Sequence, residues 1–372
     1  MQVTVQSFER RTIYHSPQTP GFTSWTGIWR MPDGSVMVCF TQATGPLEGW
    51  RARAPQEVRH RLSWPPSGQE GYDMTGLALE NVHLRSTDGG NTWAKVSADP
   101  FTSCMNGCTG EGEVALADGT ILRAVWGHYL PYWDVPQTGY IQRSTDGTKT
   151  WGPPELLCPD KNLQTWPKRV RVLSDGRIVI TGAAVPYDPN NWTRNGLAAK
   201  LRPCLWVSED RTGKGWSKPL YVVPENAGYA GEEFDVVELE NGDLLAVYRT
   251  ATYRGGKEGV TQERRQNVLT KKGDSWEPTP IVDAPFPHSG HPELLATREG
   301  VAFHIATNGT WWTADRGGHW TKLDLPGAAY YPRSVQLDNG TIIVVGHIGS
   351  DNAYGAVDQA IVMDTYRIQV AP

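Results

Sequence analysis

Glutamate, tyrosine, arginine and histidine residues stand at fixed distances from a series of glycines. Nine residues before Gly34, Gly119, Gly176, Gly242, Gly300 and Gly340 lie Trp25, Gly110, Pro167, Glu233, His291 and Tyr331. Seven residues before the same glycines lie Gly27, Gly112, Arg169, Asp235, Glu293 and Arg333, and seven after them Thr41, Trp126, Ala183, Arg249, Thr307 and His347. Equivalent positions that served only to pack would be small or apolar. Glu, Asp, Arg, His and Tyr gathered at one place cost desolvation unless water or a ligand meets them, so the pattern points to a polar site. Arginines there suit an acidic substituent, which they grip through charge-assisted, bidentate bonds. His128, His291, His304 and His347 suit hydroxyl contacts or proton transfer, with metal binding the less favoured use. Trp25, Trp126, Trp133 and Trp166 are flat surfaces on which a ring of a ligand can stack, although most tryptophans here are expected to pack the blades.

The glycines themselves say what positions these residues. Each ends a short turn (Asp33-Gly34, Asp118-Gly119, Asp175-Gly176, Asn241-Gly242, Glu299-Gly300, Asn339-Gly340) between an alternating apolar run and a second apolar run such as Arg177-Ile178-Val179-Ile180 or Thr341-Ile342-Ile343-Val344. Asp-Gly and Asn-Gly tolerate the positive φ of tight hairpin turns. Six such hairpins predict six blades of an all-β propeller. The 372 residues, with 40 Gly, 27 Pro and 16 Trp and little that reads as helix, fit one repeat-built domain spanning 1–372. In each blade the start of the first strand and the end of the second share a face, so the ring of polar positions lies at one mouth. An insertion at about residues 42–76 emerges on that face.

A second motif lies between the hairpins. Ser86-Thr87-Asp88-Gly89-Gly90-Asn91-Thr92-Trp93 has the form S-x-D-x-G-x-x-W; Ser144 to Trp151, Ser208 to Trp216 and Thr313 to Trp320 repeat it with changes, and Lys271 to Trp276 keeps the Gly and Trp. The Asp accepts backbone N–H bonds, Gly supplies an unusual φ and Trp packs the turn onto its blade. Hairpins and turns together resemble the sialidase superfamily, the BNR or Asp-box repeat propellers, over nearly the whole chain. The stretch from Glu233 to Leu244, with Arg249 at the return end, is similar to the sialidase strand E-x-x-V-V-E-L-x-(D/N)-G-x-L, and Tyr331 matches the tyrosine nine residues before the last turn glycine. The resemblance implies a retaining exo-glycoside hydrolase in which Tyr331 is the nucleophile, Glu233 its base and Arg249 a ligand to the substrate carboxylate. A phenol with pKa near 10 is a poor nucleophile until a carboxylate takes its proton, and a neutral nucleophile meets an anionic sugar without repulsion. Tyr330 and Glu232 are the neighbours that would take these places if the strand register slipped. The resemblance also implies a loop acid before the first Asp box; Asp73 is the candidate, with Glu70 and Glu80 as alternatives.

The chain departs from that family at two arginines. Where the first would lie it has Thr23-Ser24-Trp25-Thr26, and where the third would lie, Ala306-Thr307. Other cations are available: Arg51, Arg53, Arg59 and Arg61 in the insertion, and Lys168, Arg169, Arg171 and Arg333 on inner strands. Arg249, Arg333, Arg169, His291, His347, His128, Asp235 and Trp25 are the expected substrate contacts. The expected ligand is a carbohydrate with a terminal, acidic sugar; no metal and no cofactor is expected. A glycosidase of other specificity, a polysaccharide lyase using His and Tyr, and a non-catalytic Asp-box glycan-binding protein remain as alternatives.

Charged residues make up 20% of the chain and the net charge is -5, so no basic field exists to hold a nucleic acid. No apolar run approaches the roughly 20 residues of a membrane span. The start, Met1-Gln2-Val3-Thr4-Val5, lacks signal-peptide character, which is expected of a cytoplasmic protein or of a secreted one whose leader has been removed. Five cysteines, Cys39, Cys104, Cys108, Cys158 and Cys204, make an odd count without zinc-site spacing and fit a reduced chain.

Overall fold

The six turn glycines all adopt left-handed backbone, with φ between 79° and 86°. In each turn the glycine N–H donates to the carbonyl three residues earlier, at 2.8 to 3.1 Å. In five of them the Asp or Asn before the glycine accepts the N–H of the residue after it, at 2.9 to 3.1 Å. Only the glycine of each pair takes positive φ, so these are turns with one left-handed residue rather than the two-residue mirror-image turns that the pairs suggest. In blade five Glu299 stands in place of Asp or Asn, and its carboxylate accepts two bonds from Gln336 Nε2 of blade six.

The computed structural model describes residues 1–17, 22–44, 78–101, 112–125, 139–158, 160, 162–186, 202–224, 229–230, 233–253, 260–287, 290–348 and 359–371. The turns join the first two strands of six antiparallel sheets, and the described residues contain no helix. The chain is a six-bladed β-propeller. Blade one runs Phe22–Arg30, Val36–Thr44, Ala78–Ser86 and Ala94–Phe101 from axis to rim. The inner strands of blades two to six are Glu113–Ala115, Leu163–Val172, Phe234–Glu238, Glu293–Ala296 and Tyr330–Gln336. Five sheets have four strands; the sheet of blade four has six, because short pieces at Tyr229–Ala230 and Val282–Asp283 extend its edges. Blade six takes its rim strand, Gln2–His15, from the start of the chain, paired with Ala360–Ala371. Arg10 fastens that closure with two bonds to Asp364, at 2.6 and 2.7 Å.

The core is divided among the seams. Between blades six and one, Ile28, Val38, Phe40 and Leu84 meet Ile343, Val345, Ile361 and Met363; between blades two and three, Leu122 and Ile141 meet Ile178, Ile180 and Trp206. The second strand of each blade is covered on both faces. Hence Val36–Thr44 and Ile178–Pro186 are each buried over eight successive residues, and they read as continuous apolar runs rather than as alternation. The S-x-D-x-G-x-x-W segments join third to fourth strands, on the face of the turn glycines and away from the mouth. Ser86 Oγ accepts the Gly90 N–H at 2.8 Å and Asp88 Oδ1 the Thr92 N–H at 2.8 Å; Ser144 and Asp146 repeat the pattern. Their tryptophans enter the seams: Trp93 packs with the cluster between blades six and one, Trp151 between one and two, Trp320 between four and five. The tryptophan therefore plugs the gap between blades, where the sequence suggested packing onto its own.

Candidate active site

Glu233 immediately precedes the inner strand of blade four, and its carbonyl accepts the N–H of Arg249, which lies within the return strand Leu244–Tyr253 rather than at its end. Tyr331 lies on the inner strand of blade six. The three side chains meet. The Tyr331 hydroxyl donates to Glu233 Oε1 at 3.1 Å, while Arg249 Nη1 donates to Glu233 Oε2 at 2.5 Å and to the Tyr331 hydroxyl at 3.0 Å. The side chains of Glu233 and Arg249 are 16% and 22% exposed, so the pair is largely out of water. Burial alone would raise the Glu233 carboxyl, but the charge of Arg249, then His291 and Lys168, outweighs it and holds the group well below the usual carboxylate range. Glu233 is thus an ionised acceptor pressed against a phenol.

Around Tyr331 stand aromatic rings. His347 lies nearly parallel to it at 5.9 Å, Tyr330 is tilted against it at 4.9 Å, and His291 is 6.4 Å away. Burial pushes His347 down to about 3, which keeps its ring neutral beside the phenol. His291 is buried and its Nδ1 is 2.8 Å from the Pro292 carbonyl oxygen. Tyr330 is half-buried and packs edge-on against His347. Glu232, the other rival, lies outside the described residues, as do Asp73, Glu70, His128, Trp126, Trp133 and the insertion from residue 45 to 76. Glu80, the remaining candidate acid, is on the third strand of blade one, where its carboxylate accepts Gln42 Nε2 at 3.2 Å.

Sequence reasoning missed Arg264. It faces Arg249 in the register of blade four, on the third strand, and its Nη2 donates to the Gly290 carbonyl at 2.5 Å. Burial and the neighbouring charge of Arg249 pull it down to about 9, partly offset by Glu233, Tyr331 and Tyr330. A guanidinium with that pKa is still charged at neutral pH. A count confined to the first two strands cannot find a third-strand residue; the signal that points to it is its place opposite Arg249.

Arg169, Asp235 and Arg333, expected as substrate contacts, lie together with Arg171 and Glu293 in a buried network below the trio. Arg169 Nη2 donates to Glu293 Oε1 at 3.1 Å, and Arg171 Nε to Asp235 Oδ1 at 3.1 Å. Arg333, fully buried, donates to the Pro332 carbonyl at 2.6 Å and lies 3.7 Å from Glu293. Glu293 Oε1 also accepts the Ser334 N–H and hydroxyl at 2.7 and 2.6 Å. Their hydrogen bonds and ion pairs, together with those of Ser334, link the inner strands of blades three, four, five and six. His304 is equally buried, stacked on Phe286 at 4.0 Å, and desolvation keeps it neutral. Trp25, on the inner strand of blade one, is buried at a left-handed φ of 54°. Among the described residues, no group of three or more His, Cys, Asp or Glu could hold a metal ion.

No protein-family model and no curated protein matches the chain in sequence. Solved structures do match in fold. A protein of unknown function from Dyadobacter fermentans superposes with a TM-score of 0.69 at 19% identity, covering 98% of this chain and 99% of that one. The GH93 alpha-L-arabinofuranosidase of Fusarium graminearum, in complex with arabinobiose, gives 0.63 at 13% identity, over 96% and 97%. The NanB sialidase from Streptococcus pneumoniae gives 0.57 at 12% identity, over 95% and 70%. At such identities these likenesses speak for the propeller alone.

Proposed function

We propose that the protein is a retaining exo-glycoside hydrolase of sialidase-like type that removes a terminal acidic sugar. The observation that carries the reading is the Tyr331 hydroxyl held between Glu233 at 3.1 Å and Arg249 at 3.0 Å. As the phenol oxygen attacks the anomeric carbon, its proton passes to Glu233, and the guanidinium stabilises the charge developing on oxygen. The leaving oxygen takes a proton from a mouth acid, for which Asp73 is the candidate. Water then attacks the anomeric carbon, giving its proton to the mouth acid left deprotonated by the first step, while the glycosyl-tyrosine bond breaks and Glu233 returns its proton to the phenol. Lys168, Arg249 and Arg264 bring three positive charges around one ionised carboxylate, which favours an anionic substituent on the sugar. His291 and His347 shape the wall around the reacting centre, and Trp25 is a further proposed substrate contact from blade one. No cofactor takes part in this scheme.

A second reading keeps the hydrolase but changes the sugar. Arg249 is already bonded to both Glu233 and Tyr331, and the neighbour described as an alpha-L-arabinofuranosidase is matched along 97% of its length. Both observations favour a neutral terminal sugar with Glu233 itself facing the anomeric carbon. Purified protein offered 4-methylumbelliferyl glycosides of N-acetylneuraminic acid and of α-L-arabinofuranose separates the two. Release from the sialoside, lost by at least about 1,000-fold in Tyr331→Phe, is the expected result. Cleavage of the arabinofuranoside with Tyr331→Phe still active overturns the tyrosine mechanism. Glycan binding without release from any aryl glycoside would make the protein a lectin.

A further inference from the structure

Four non-glycine residues among those described adopt positive φ. Thr148 and Arg316 sit in the turns between third and fourth strands. The other two, Trp25 at 54° and Tyr331 at 51°, lie on inner strands at the mouth, in blades one and six, each nine residues before its turn glycine. Left-handed backbone is an outlier for a bulky side chain and persists only where neighbours enforce it. Both residues lie in β-bulges. In blade one, Trp25 and Thr26 fall between the pairs Ser24–Thr41 and Gly27–Cys39; in blade six, Tyr331 and Pro332 fall between Tyr330–His347 and Arg333–Val345. A bulge re-aims a side chain and takes its backbone out of the ladder.

The two bulges are joined. The hydroxyl of Thr26, a residue with no exposed surface, donates to the Tyr331 carbonyl at 2.8 Å. Pro332 contributes no N–H and bars its predecessor from the right-handed helical region, while Gly346, opposite the bulge, lets the backbone come close: a Cβ there would meet Ala329 and the Tyr330 carbonyl at 2.9 Å. The Tyr331 carbonyl therefore leaves its own sheet and finds a donor in the neighbouring blade. The bulge of blade one puts that donor in place. We infer that Thr26 is a positioning residue for Tyr331, holding the strained bulge that carries the phenol across the mouth to Glu233 and Arg249. The stretch that replaces the family's first arginine thus supports the reacting tyrosine from behind. The catalytic consequence rests on the reading of Tyr331 as nucleophile; the clamp itself does not.

The test compares Thr26→Val, Thr26→Ser and Tyr331→Phe. Crystal structures of the first two need no substrate. Thr26→Val should move the Tyr331 oxygen out of hydrogen-bond reach of Glu233 and relax its φ from 51°; Thr26→Ser should keep both. On whichever 4-methylumbelliferyl glycoside the wild type cleaves, Thr26→Val should lower kcat by about 100-fold with KM nearly unchanged, and Thr26→Ser should restore it to within about threefold, as expected when a reacting group is misplaced by about 1 Å. An unmoved Tyr331 in Thr26→Val, or a wild-type kcat there beside an inactive Tyr331→Phe, overturns the clamp. An active Tyr331→Phe overturns the nucleophile assignment instead, and the Thr26→Val crystal structure then still decides whether the clamp exists.

Discussion

Replacing Arg249 with methionine keeps the length of the side chain and removes the charge that both Glu233 and Tyr331 lean on. The guanidinium gives Glu233 its shortest bond, 2.5 Å, and is the largest influence lowering its carboxyl against burial. With side chains 16% and 22% exposed, the pair sits near the buried limit, where removing one partner costs about 3–5 kcal/mol. Lys168 and His291 still favour the anion, so about 3 kcal/mol is expected at neutral pH, a loss of a few degrees in Tm. The pH dependence identifies the cause. In the wild type the folded carboxyl lies below its unfolded value of about 4.3, so its contribution is fully present above that value and fades only as pH falls through the depressed folded pKa. In the variant, desolvation, the largest single influence on the group, is opposed only by His291 and Lys168, and the folded pKa is expected to rise above the unfolded one. The variant then regains stability as acid protonates Glu233. The gap in Tm between the two proteins should be widest near pH 7 and narrow below about pH 5. The acid limb of kcat/KM should move upward in the variant, because a protonated Glu233 cannot take the phenol proton. Melting curves from pH 4 to 8 with a parallel rate profile measure both. A gap that stays constant with pH would show that Glu233 is not held ionised by Arg249.

Two further substitutions probe the scaffold. Gly340→Ala places a Cβ with nothing within 4 Å, so its only penalty is backbone strain at φ 83°; about 1–2 kcal/mol lost in urea unfolding, with kcat unchanged, is expected. Glu293→Gln removes the carboxylate shared by Arg169, Arg333 and Ser334; denaturant titration should show a loss of about 3–5 kcal/mol, and a neutral effect would mean that Asp235 alone balances the buried arginines.

The glycine spacing carried the fold into view because each turn needs one residue at positive φ, and that demand is written in single letters at Gly34, Gly119, Gly176, Gly242, Gly300 and Gly340. The same spacing brought Glu233, Arg249 and Tyr331 to one mouth, where their side chains meet. It could not tell Arg333 from Tyr331. A count from the turn assumes an even ladder, and the bulges at 25–26, 168–169 and 331–332 reset which way the following residues face. Arg169 and Arg333 therefore read as free cations at the mouth, while the folded strands bring them to Glu293. Arg264 was hidden for another reason: third strands follow connections of unequal length, so no fixed distance from the glycine reaches it.

The proposed chemistry would draw on several blades at once. The phenol, its carboxylate and their guanidinium come from blades four and six, and the clamp on the tyrosine from blade one. None of the three blades holds the arrangement alone. Strain at Tyr331 and the desolvation of Glu233 each oppose folding locally; the charge of Arg249 offsets the second, and apolar seams that lie between blades rather than at the mouth offset the first. The mouth can then be altered one blade at a time. Blade one supplies a threonine that braces its neighbour, and blade four a second arginine from its third strand. The closing pair of strands, Gln2–His15 with Ala360–Ala371, is what keeps blade six, and with it Tyr331, in reach of blade four.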